Sequence, residues 1–261
     1  MALHLTLGFA FGLLGNIISF LVCLAPIPTF YQICKKKTSE GFQSLPYVIA
    51  LFSAMLWLFY AIFAADAILL ITINSFTFFM EIAYISFYFF YASKKDRILT
   101  MKLVLLFNVF GFGIISIIAM FLIHGKERVK VLGWICMIFA LCVFVAPLGI
   151  VRKVITTKSV EFMPFSLSFF LTLSAVMWFF YGFLRKDLFV AIPNILGFMF
   201  GILQMLLYVI YRKPKKSLEK PTLDKSFEHV IDVAKPDATI CCELNTGHEV
   251  VEDKLVKEQA K

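Results

Sequence analysis

The amino-acid sequence predicts an all-α membrane protein with seven transmembrane helices, arranged as two parallel three-helix bundles joined by a linker helix (3+1+3). Three features predict this fold: the apolar composition, the spacing of the apolar stretches and an internal duplication. Of the 261 residues, 61% are hydrophobic and 31 are phenylalanine, whereas apolar residues make up about 45–50% of ordinary globular proteins. The composition therefore argues strongly against a water-soluble fold.

Seven apolar stretches are each long enough to cross a bilayer. A helix needs about 20 residues to span roughly 30 Å of hydrocarbon. The stretches cover residues 5–30, 45–65, 68–91, 101–123, 131–151, 165–184 and 188–211. The first is too long for a secretory signal peptide and lacks a basic segment before it, so we expect it to be a retained span.

The basic residues between the stretches predict the orientation, because Lys and Arg are held on the cytoplasmic side during insertion. With the N-terminus extracellular, the cytoplasmic segments carry fourteen Lys and Arg residues and the external loops carry five. The loop at 124–130 supplies three of these five and is the imperfection in the pattern. The sequence thus predicts a multi-pass protein with an extracellular N-terminus and a cytoplasmic C-terminus.

An internal repeat organises the chain. Shifted by 121 residues, segment 38–60 aligns without a gap on segment 159–181, and both contain Ser-Ala-x-x-Trp-x-x-Tyr. The repeat unit holds three spans, so a second copy placed directly after it would be inverted in the membrane. The fourth span cancels that inversion, and the two copies are therefore parallel. A receptor has no need of such a duplication, whereas a transporter built of two bundles around a central path does.

The repeat sets the expected domains. Residues 1–92 form the first three-helix repeat, residues 93–130 the linker helix with its flanking loops, and residues 131–211 the second repeat. Residues 212–261 are rich in charged residues and poor in aromatic ones. Such a segment cannot bury enough apolar surface to fold, so we expect a disordered cytoplasmic tail.

Four prolines recur at matching places in the two halves: Pro26, Pro46, Pro147 and Pro164. Proline removes a backbone hydrogen bond and kinks a helix, which creates a point where the two ends can swing. Their placement near the cytoplasmic ends of paired spans favours a hinge and gate over simple packing.

Two aromatic and amide pairs lie at similar depth in the membrane: Trp57 with Asn74, and Trp178 with Asn194. A tryptophan is more often an interfacial anchor and an asparagine a contact between helices. Two flat aromatic faces and two amides around one cavity, however, suit a ligand with apolar C–H faces and many hydroxyl groups. That description fits a sugar.

Small side chains surround these pairs: Ser53 and Ser174 one turn before each tryptophan, and Ser19, Val22, Ala140 and Val143 on the first span of each half. They leave room for a ligand, although close packing between helices explains them equally well. Near the outer ends of two spans, Tyr60 and Asp187 are placed to close the external mouth by a hydrogen bond. The alternative for Asp187 is a solvated loop charge.

Ionisable residues within the spans are the usual signature of coupling to protons or ions, and only Glu81 lies well inside one. We expect a structural hydrogen-bonding role for it and transport without ion coupling. The chain has no P-loop, nucleophile elbow or metalloprotease motif and no Cys or His spacing typical of a metal site. The sequence therefore predicts no enzyme, cofactor or metal, and its scattered basic groups exclude nucleic acid as a partner.

The duplicated unit, the prolines, the segments ICKKKTSEGFQSLPY and SVEFMPFSLS and the Trp/Asn pairs closely resemble the plant SWEET sugar facilitators over residues 5–212. The resemblance implies a bidirectional, proton-independent uniporter. It makes the four prolines the cytoplasmic hinge and gate, the two Trp/Asn pairs the sugar site, and Tyr60 with Asp187 the outer gate.

Within that family, the sucrose-transporting members are similar to this chain at Ser19, Val22, Ser53, Val143 and Ser174, whereas Ala140 departs from the serine common there. The resemblance implies sucrose over glucose, with hexoses also carried, and residence in the plasma membrane. Its partners would be a mono- or disaccharide and membrane lipid, and the sequence leaves a homo-oligomer open. Two alternatives remain: a proton-linked exporter of amino acids or other small solutes of the same type, and a non-transporting seven-helix receptor.

Overall fold

The computed structural model describes residues 2–39, 41–160 and 165–212, and within these ranges it contains helices and no strands. Ten α-helices and one π-helical segment occur there. They are α1 Ala2–Cys23, α2 Ile27–Lys36, α3 Leu45–Phe63, α4 Ile68–Tyr91, α5 Lys94–Val104, the π-helical segment Leu105–Gly111, α6 Phe112–Phe121, α7 Gly125–Val143, α8 Val145–Thr157, α9 Phe165–Leu184 and α10 Leu188–Tyr211.

These helices combine into seven stretches that are long and apolar enough to cross a membrane. Three of the stretches combine neighbouring elements: α1 with α2, α5 with the π-helical segment and α6, and α7 with α8. Each of the other four helices forms a stretch alone. The seven predicted spans are thereby confirmed. The tail after residue 212 and Pro164 lie outside the described residues.

Two segments that hydropathy assigned to loops are helical. α5 begins at Lys94, where the Ser93 side chain accepts a hydrogen bond from the Asp96 amide at 3.2 Å, and α7 begins at Gly125. Both first turns are rich in charge, and hydropathy detects only the part of a helix that faces hydrocarbon. The fourth and fifth helices therefore extend beyond their apolar stretches.

The repeat is visible in the backbone. α2 and α8 both end at a lysine with a left-handed conformation, Lys37 with φ 52° and Lys158 with φ 50°, which are 121 residues apart. A left-handed residue just past the last turn is a common way to end a helix, because it turns the chain away from the helix axis. The matching pair shows that the two halves end this helix in the same way.

The third span of each half lies between the other two. α4 packs against both α1 and α3, and α10 packs against both α7 and α9. The halves meet crosswise, since α1 packs on α9 and α7 packs on α3. The linker packs mainly on α3, where Asn108 Nδ2 donates to the Val48 carbonyl at 3.4 Å. The α1–α9 contact and the α7–α3 contact are therefore equivalent under the repeat.

The prolines lie where helices begin. Pro26 precedes α2, Pro46 is the second residue of α3, and Pro147 is the third residue of α8. The first amide groups of a helix have no partner within it, so proline is tolerated there without loss of a hydrogen bond. The interruptions of the first and fifth spans, before α2 and before α8, are consequently breaks between helices that each remain regular.

Two tyrosines of α4 hold the backbone near the prolines of the first half. Tyr84 donates its hydroxyl hydrogen to the Cys23 carbonyl at 2.8 Å, at the end of α1, and Tyr88 donates to the Phe42 carbonyl at 3.2 Å. The Tyr84 ring also stacks on Phe30 of α2, with centroids 4.6 Å apart. Tyr84 thereby contacts both sides of the α1–α2 break and stabilises its angle.

A close approach between α9 and the start of α10 yields a test of the packing. A methyl group added to Gly182 of α9 would lie 2.8 Å from the Ala191 nitrogen and 2.9 Å from the Asp187 carbonyl oxygen, both backbone atoms that cannot rotate away. We expect Gly182→Ala to destabilise the protein by about 1–3 kcal/mol, the usual cost of overpacking. The measurement is the thermal aggregation midpoint of detergent-solubilised protein.

The matched control is Gly113→Ala, because nothing lies within 4 Å of the added methyl group at that helical position. Alanine favours the helix over glycine by about 1 kcal/mol, so this variant should be as stable as the unsubstituted chain or more so. Equal midpoints for the two variants would contradict the close α9–α10 packing.

Candidate functional site

A cavity of ≈ 870 Å³ lies among α1, α3, α4, α7, α9 and α10. Most of the residues that the sequence singled out line it. They are Ser19, Pro46, Ser53, Trp57, Asn74, Ala140, Val143, Trp178 and Asn194. The structure thus brings both Trp/Asn pairs to one cavity, whose lining reaches Leu45 and Pro46 at the start of α3.

The lining carries no charged residue among those that the structure describes. Its polar groups are hydroxyl, amide, indole and thiol, and the rest is aliphatic or aromatic. A volume within the roughly 300–1,000 Å³ range of small-molecule sites accommodates a ligand of one or two rings. Without a charged partner, a charged ligand would lose its hydration uncompensated. The cavity therefore suits a neutral polar solute.

The two asparagines are oriented by their own helices. Asn74 Nδ2 donates to the Leu70 carbonyl at 2.9 Å, and Asn194 Nδ2 donates to the Val190 carbonyl at 2.7 Å. A carbonyl can only accept, so the amide nitrogen must face the backbone. Each side chain is left with its oxygen and one N–H, which can accept from and donate to polar groups of a ligand in the cavity.

The two tryptophans have matching aromatic neighbours. Trp57 packs edge-on against Tyr60 with ring centroids 5.7 Å apart, and Trp178 packs edge-on against Tyr181 at 5.3 Å. An edge-to-face contact fixes the plane of each indole ring. Both indoles are thereby held as flat surfaces beside the cavity.

Two predicted site residues lie away from the lining. Ser174 is buried behind Ser19, and the two Oγ atoms are 2.8 Å apart. Val22 is half-buried and does not line the cavity as described. The next residue, Cys23, is bonded to α4 in two ways. Its Sγ atom lies 3.3 Å from Thr77 Oγ1, and its carbonyl oxygen accepts from the Tyr84 hydroxyl. This end of α1 therefore packs on its own bundle.

Thr77 is a lining residue that the sequence reasoning missed. It lies on α4 three residues after Asn74, so both side chains occupy one helix face and both reach the cavity. That spacing was the available signal.

Glu81, one turn further along α4 than Thr77, is 7% exposed, and its Oε2 has no hydrogen-bond partner in the described part of the chain. The hydrogen-bonding role expected for Glu81 is thus not seen.

Tyr60 and Asp187 meet across the two halves. The Tyr60 hydroxyl donates to Asp187 Oδ2 at 2.8 Å, and Asp187 Oδ1 accepts from the amides of Phe189 and Val190 at 3.1 and 3.3 Å. Asp187 is therefore both the N-cap of α10 and the acceptor of the phenol, and it is no freely solvated charge. Both residues line a second cavity of ≈ 460 Å³.

Burial raises the pKa of Asp187, and this effect outweighs the opposing hydrogen bonds from Tyr60 and the backbone amides and the charge of Arg185. A carboxyl group whose pKa is raised in one arrangement binds its proton more tightly there than when hydrated. Acidic medium consequently favours this buried arrangement of Asp187 over one in which Asp187 is exposed to water.

The repeat does not duplicate this contact. Tyr181 occupies the position of Tyr60 in the second half, yet its hydroxyl is buried without a hydrogen-bond partner in the described residues. The turn before α4 is one residue longer than the turn before α10, so the N-cap of α4 is Ala67, which has no side-chain acceptor. Among the described residues, only the Tyr60–Asp187 pair therefore makes a phenol–carboxylate contact between these turns and the helices beside them.

The chain is similar to proteins of known family. The sequence model of the MtN3 family, described as sugar efflux transporter for intercellular exchange, matches residues 9–96 and 130–216. The chain is 64% identical over 234 residues to the bidirectional sugar transporter SWEET10 of Arabidopsis thaliana, covering 88% of this chain and 81% of the relative. It is 58% identical to the bidirectional sugar transporter N3 of Medicago truncatula, covering 83% and 81%.

A solved structure is also similar. The 3.7 Å structure of a eukaryotic SWEET transporter superposes with a TM-score of 0.77 at 35% sequence identity, covering 80% of this chain and 99% of that one.

The unequal tyrosines provide a test of the closed end. Tyr60→Phe removes a hydrogen bond to a carboxylate, worth about 1.5–3 kcal/mol, and should loosen the contact. Cys136 is 1% exposed and belongs to the same apolar cluster as Tyr60, so it reports on opening. We expect N-ethylmaleimide to modify Cys136 at least about tenfold faster in this variant, measured by peptide mass spectrometry.

Tyr181→Phe is the matched control, because it removes a hydroxyl group that has no hydrogen-bond partner among the described residues. Its Cys136 should react at the unsubstituted rate. Cys142, which is exposed and lines the main cavity, should react equally in all three proteins. Equal acceleration of Cys136 by both substitutions would show that the Tyr60–Asp187 contact does not hold this end closed.

Proposed function

Because the chain belongs to the MtN3/SWEET family of sugar transporters, we propose that it carries sugars in both directions across the plasma membrane as a uniporter, with sucrose preferred and hexoses also accepted. The chain is a multi-pass transporter and not an enzyme. Its relatives are named bidirectional sugar transporters, which supports facilitated movement of sugar as its activity.

The observation that carries the proposal is the uncharged cavity between the two Trp/Asn pairs. Indole faces stack on the C–H faces of a sugar ring, and the Oδ1 atoms of Asn74 and Asn194 are turned away from their own helices. These groups match a neutral polyol, which has apolar faces and hydroxyl edges. An amino acid would bring a carboxylate and an ammonium group that the described lining cannot pair.

Alternating access is the proposed mechanism. In this arrangement Tyr60 and Asp187 are joined at one end of the bundle, while the cavity lining reaches Pro46 at the other. The breaks before α2 and α8 allow the ends of the first and fifth spans to change angle without loss of helical hydrogen bonds. In our proposal, Pro26, Pro46, Pro147 and Pro164 form the cytoplasmic hinge and gate, Tyr60 with Asp187 forms the extracellular gate, and the N-terminus is extracellular.

The chemistry of the cavity supports uniport. Ionisable residues within the spans usually mark the pathways of coupled protons and ions. Among the described residues, the cavity lining has none, and Glu81 lies off it. Sugar uptake should therefore equilibrate and never accumulate, whatever the pH or sodium concentration outside.

The decisive experiment is radiotracer sucrose and glucose uptake in cells that lack their own sugar carriers. The unsubstituted protein should transport both sugars, and Asn194→Leu should reduce transport at least about tenfold, because a buried sugar hydroxyl would lose its acceptor. Surface expression is measured for each variant, and uptake is normalised to it.

Asn108→Leu is the matched control. Asn108 is also a buried asparagine within a span, but it contacts Val48 at the linker and does not line the described cavity. Transport by this variant should stay within about twofold of the unsubstituted rate. No uptake by the unsubstituted protein, or equal losses in the two variants, would contradict the proposed site.

Selectivity by size provides a second test. Val143 lines the cavity and is 40% exposed, whereas Val22, its counterpart in the repeat, lies off the lining. Val143→Leu adds one methylene where the larger ring system must fit, and a methylene is worth about 1–3 kcal/mol of discrimination. We expect sucrose uptake to fall about 10-fold or more relative to glucose uptake.

Val22→Leu should change the sucrose-to-glucose ratio much less, and it serves as the control for a Val-to-Leu exchange in the other half. Proportional losses of both sugars in Val143→Leu would argue against a size limit at this position.

A further inference from the structure

The α1–α9 contact carries a three-membered hydrogen-bond network beside the cavity. Trp178 Nε1 donates to Ser19 Oγ at 3.0 Å, and Ser19 Oγ lies 2.8 Å from Ser174 Oγ. The Ser19 hydroxyl thus occupies the point where an indole N–H and a second hydroxyl group converge. The N–H of Trp178 is consequently satisfied within the protein.

The equivalent contact, between α7 and α3, lacks the central hydroxyl group. The 121-residue repeat relates Ser19 to Ala140, Ser174 to Ser53, and Trp178 to Trp57. Ala140, Ser53 and Trp57 all line the cavity. Neither Trp57 Nε1 nor Ser53 Oγ makes a hydrogen bond to any residue that the structure describes.

The geometry points to a hydroxyl subsite beside Ala140. We propose that one hydroxyl group of the substrate binds between Trp57 and Ser53, in the way that Ser19 Oγ is held between Trp178 and Ser174. The ligand oxygen accepts the indole hydrogen of Trp57 and forms a second hydrogen bond with Ser53. This inference rests on the proposed transport of sugar and identifies which of its groups the site recognises.

The subsite makes the two tryptophans unequal. Trp178 is 8% exposed and its N–H is already bonded, so it offers a ligand only part of its ring face. Trp57 is more exposed and offers both a ring face and a donor. A disaccharide therefore binds with one ring anchored by stacking and a hydrogen bond at Trp57, and with the other ring held by weaker contacts at Trp178.

The direct test is to supply the missing hydroxyl from the protein. Ala140→Ser places a hydroxyl group that competes with the substrate for Trp57 and Ser53. A neutral hydrogen bond contributes about 0.5–1.5 kcal/mol net, so the half-saturation concentration for radiotracer sucrose should rise about fivefold. Ala10→Ser is the matched control, because it is the same exchange at an exposed position of α1 that does not line the described cavity. It should change the half-saturation concentration less than about twofold.

A second measurement varies the substrate and leaves the chain unchanged. Monodeoxy sucrose analogues, each lacking one hydroxyl group, compete with radiotracer sucrose for uptake. One analogue should compete about fivefold less well than sucrose in the unsubstituted protein. In Ala140→Ser the same analogue and sucrose should compete nearly equally, because the hydroxyl that distinguishes them no longer has a place to bind.

The two proposals fail in different ways. Absence of sucrose and glucose uptake by the unsubstituted protein overturns the proposed function. Normal uptake combined with equal half-saturation concentrations in Ala140→Ser and Ala10→Ser overturns the subsite and leaves sugar transport standing. The subsite is equally overturned when every deoxy analogue keeps the same ratio to sucrose in the unsubstituted protein and in Ala140→Ser.

Discussion

Hydrocarbon supplies no hydrogen bonds, so each polar group within the membrane needs a partner in the protein or in a ligand. This constraint explains the arrangement of the polar side chains between the helices. The asparagine amides bond to their own helices, and Tyr84 bonds to a carbonyl at the end of α1. The groups that remain without partners, among the described residues, are therefore informative: those at the cavity are available to a solute.

Duplication provides the scaffold, and divergence between the copies provides the asymmetry. The halves repeat the break in the first span, the left-handed lysine after it and the edge-on Trp–Tyr pair. They differ where single residues control a contact. Asp187 caps α10 and binds Tyr60, whereas Ala67 at the N-cap of α4 has no side-chain acceptor. One phenol–carboxylate contact, and not two, results from this difference among the described residues.

The two breaks also differ in their support. The break in the first half is held by the Tyr84 hydroxyl and by its ring against Phe30. At the positions 120 residues later the second half has Gln204, which accepts from Ser168, and Tyr208, which packs on Phe165. These contacts join α10 to α9 and leave the α7–α8 break without the corresponding phenol.

The sequence by itself determined the seven spans, the duplication, the family and the residue types at the cavity, because hydrophobic length and repeated motifs are local properties that need no knowledge of contacts. It did not determine the helical starts at Lys94 and Gly125, since polar turns beyond the hydrocarbon carry no hydropathy signal. Only the tertiary structure decided which equivalent groups are paired. Tyr60 and Tyr181 occupy equivalent positions, but a one-residue difference in turn length gives only Tyr60 a carboxylate partner. Trp57 and Trp178 are also equivalent, but only Trp178 is bonded to a serine on a distant helix, Ser19. Both pairings join residues from opposite halves of the chain. The spacing of residues within one segment therefore cannot predict them.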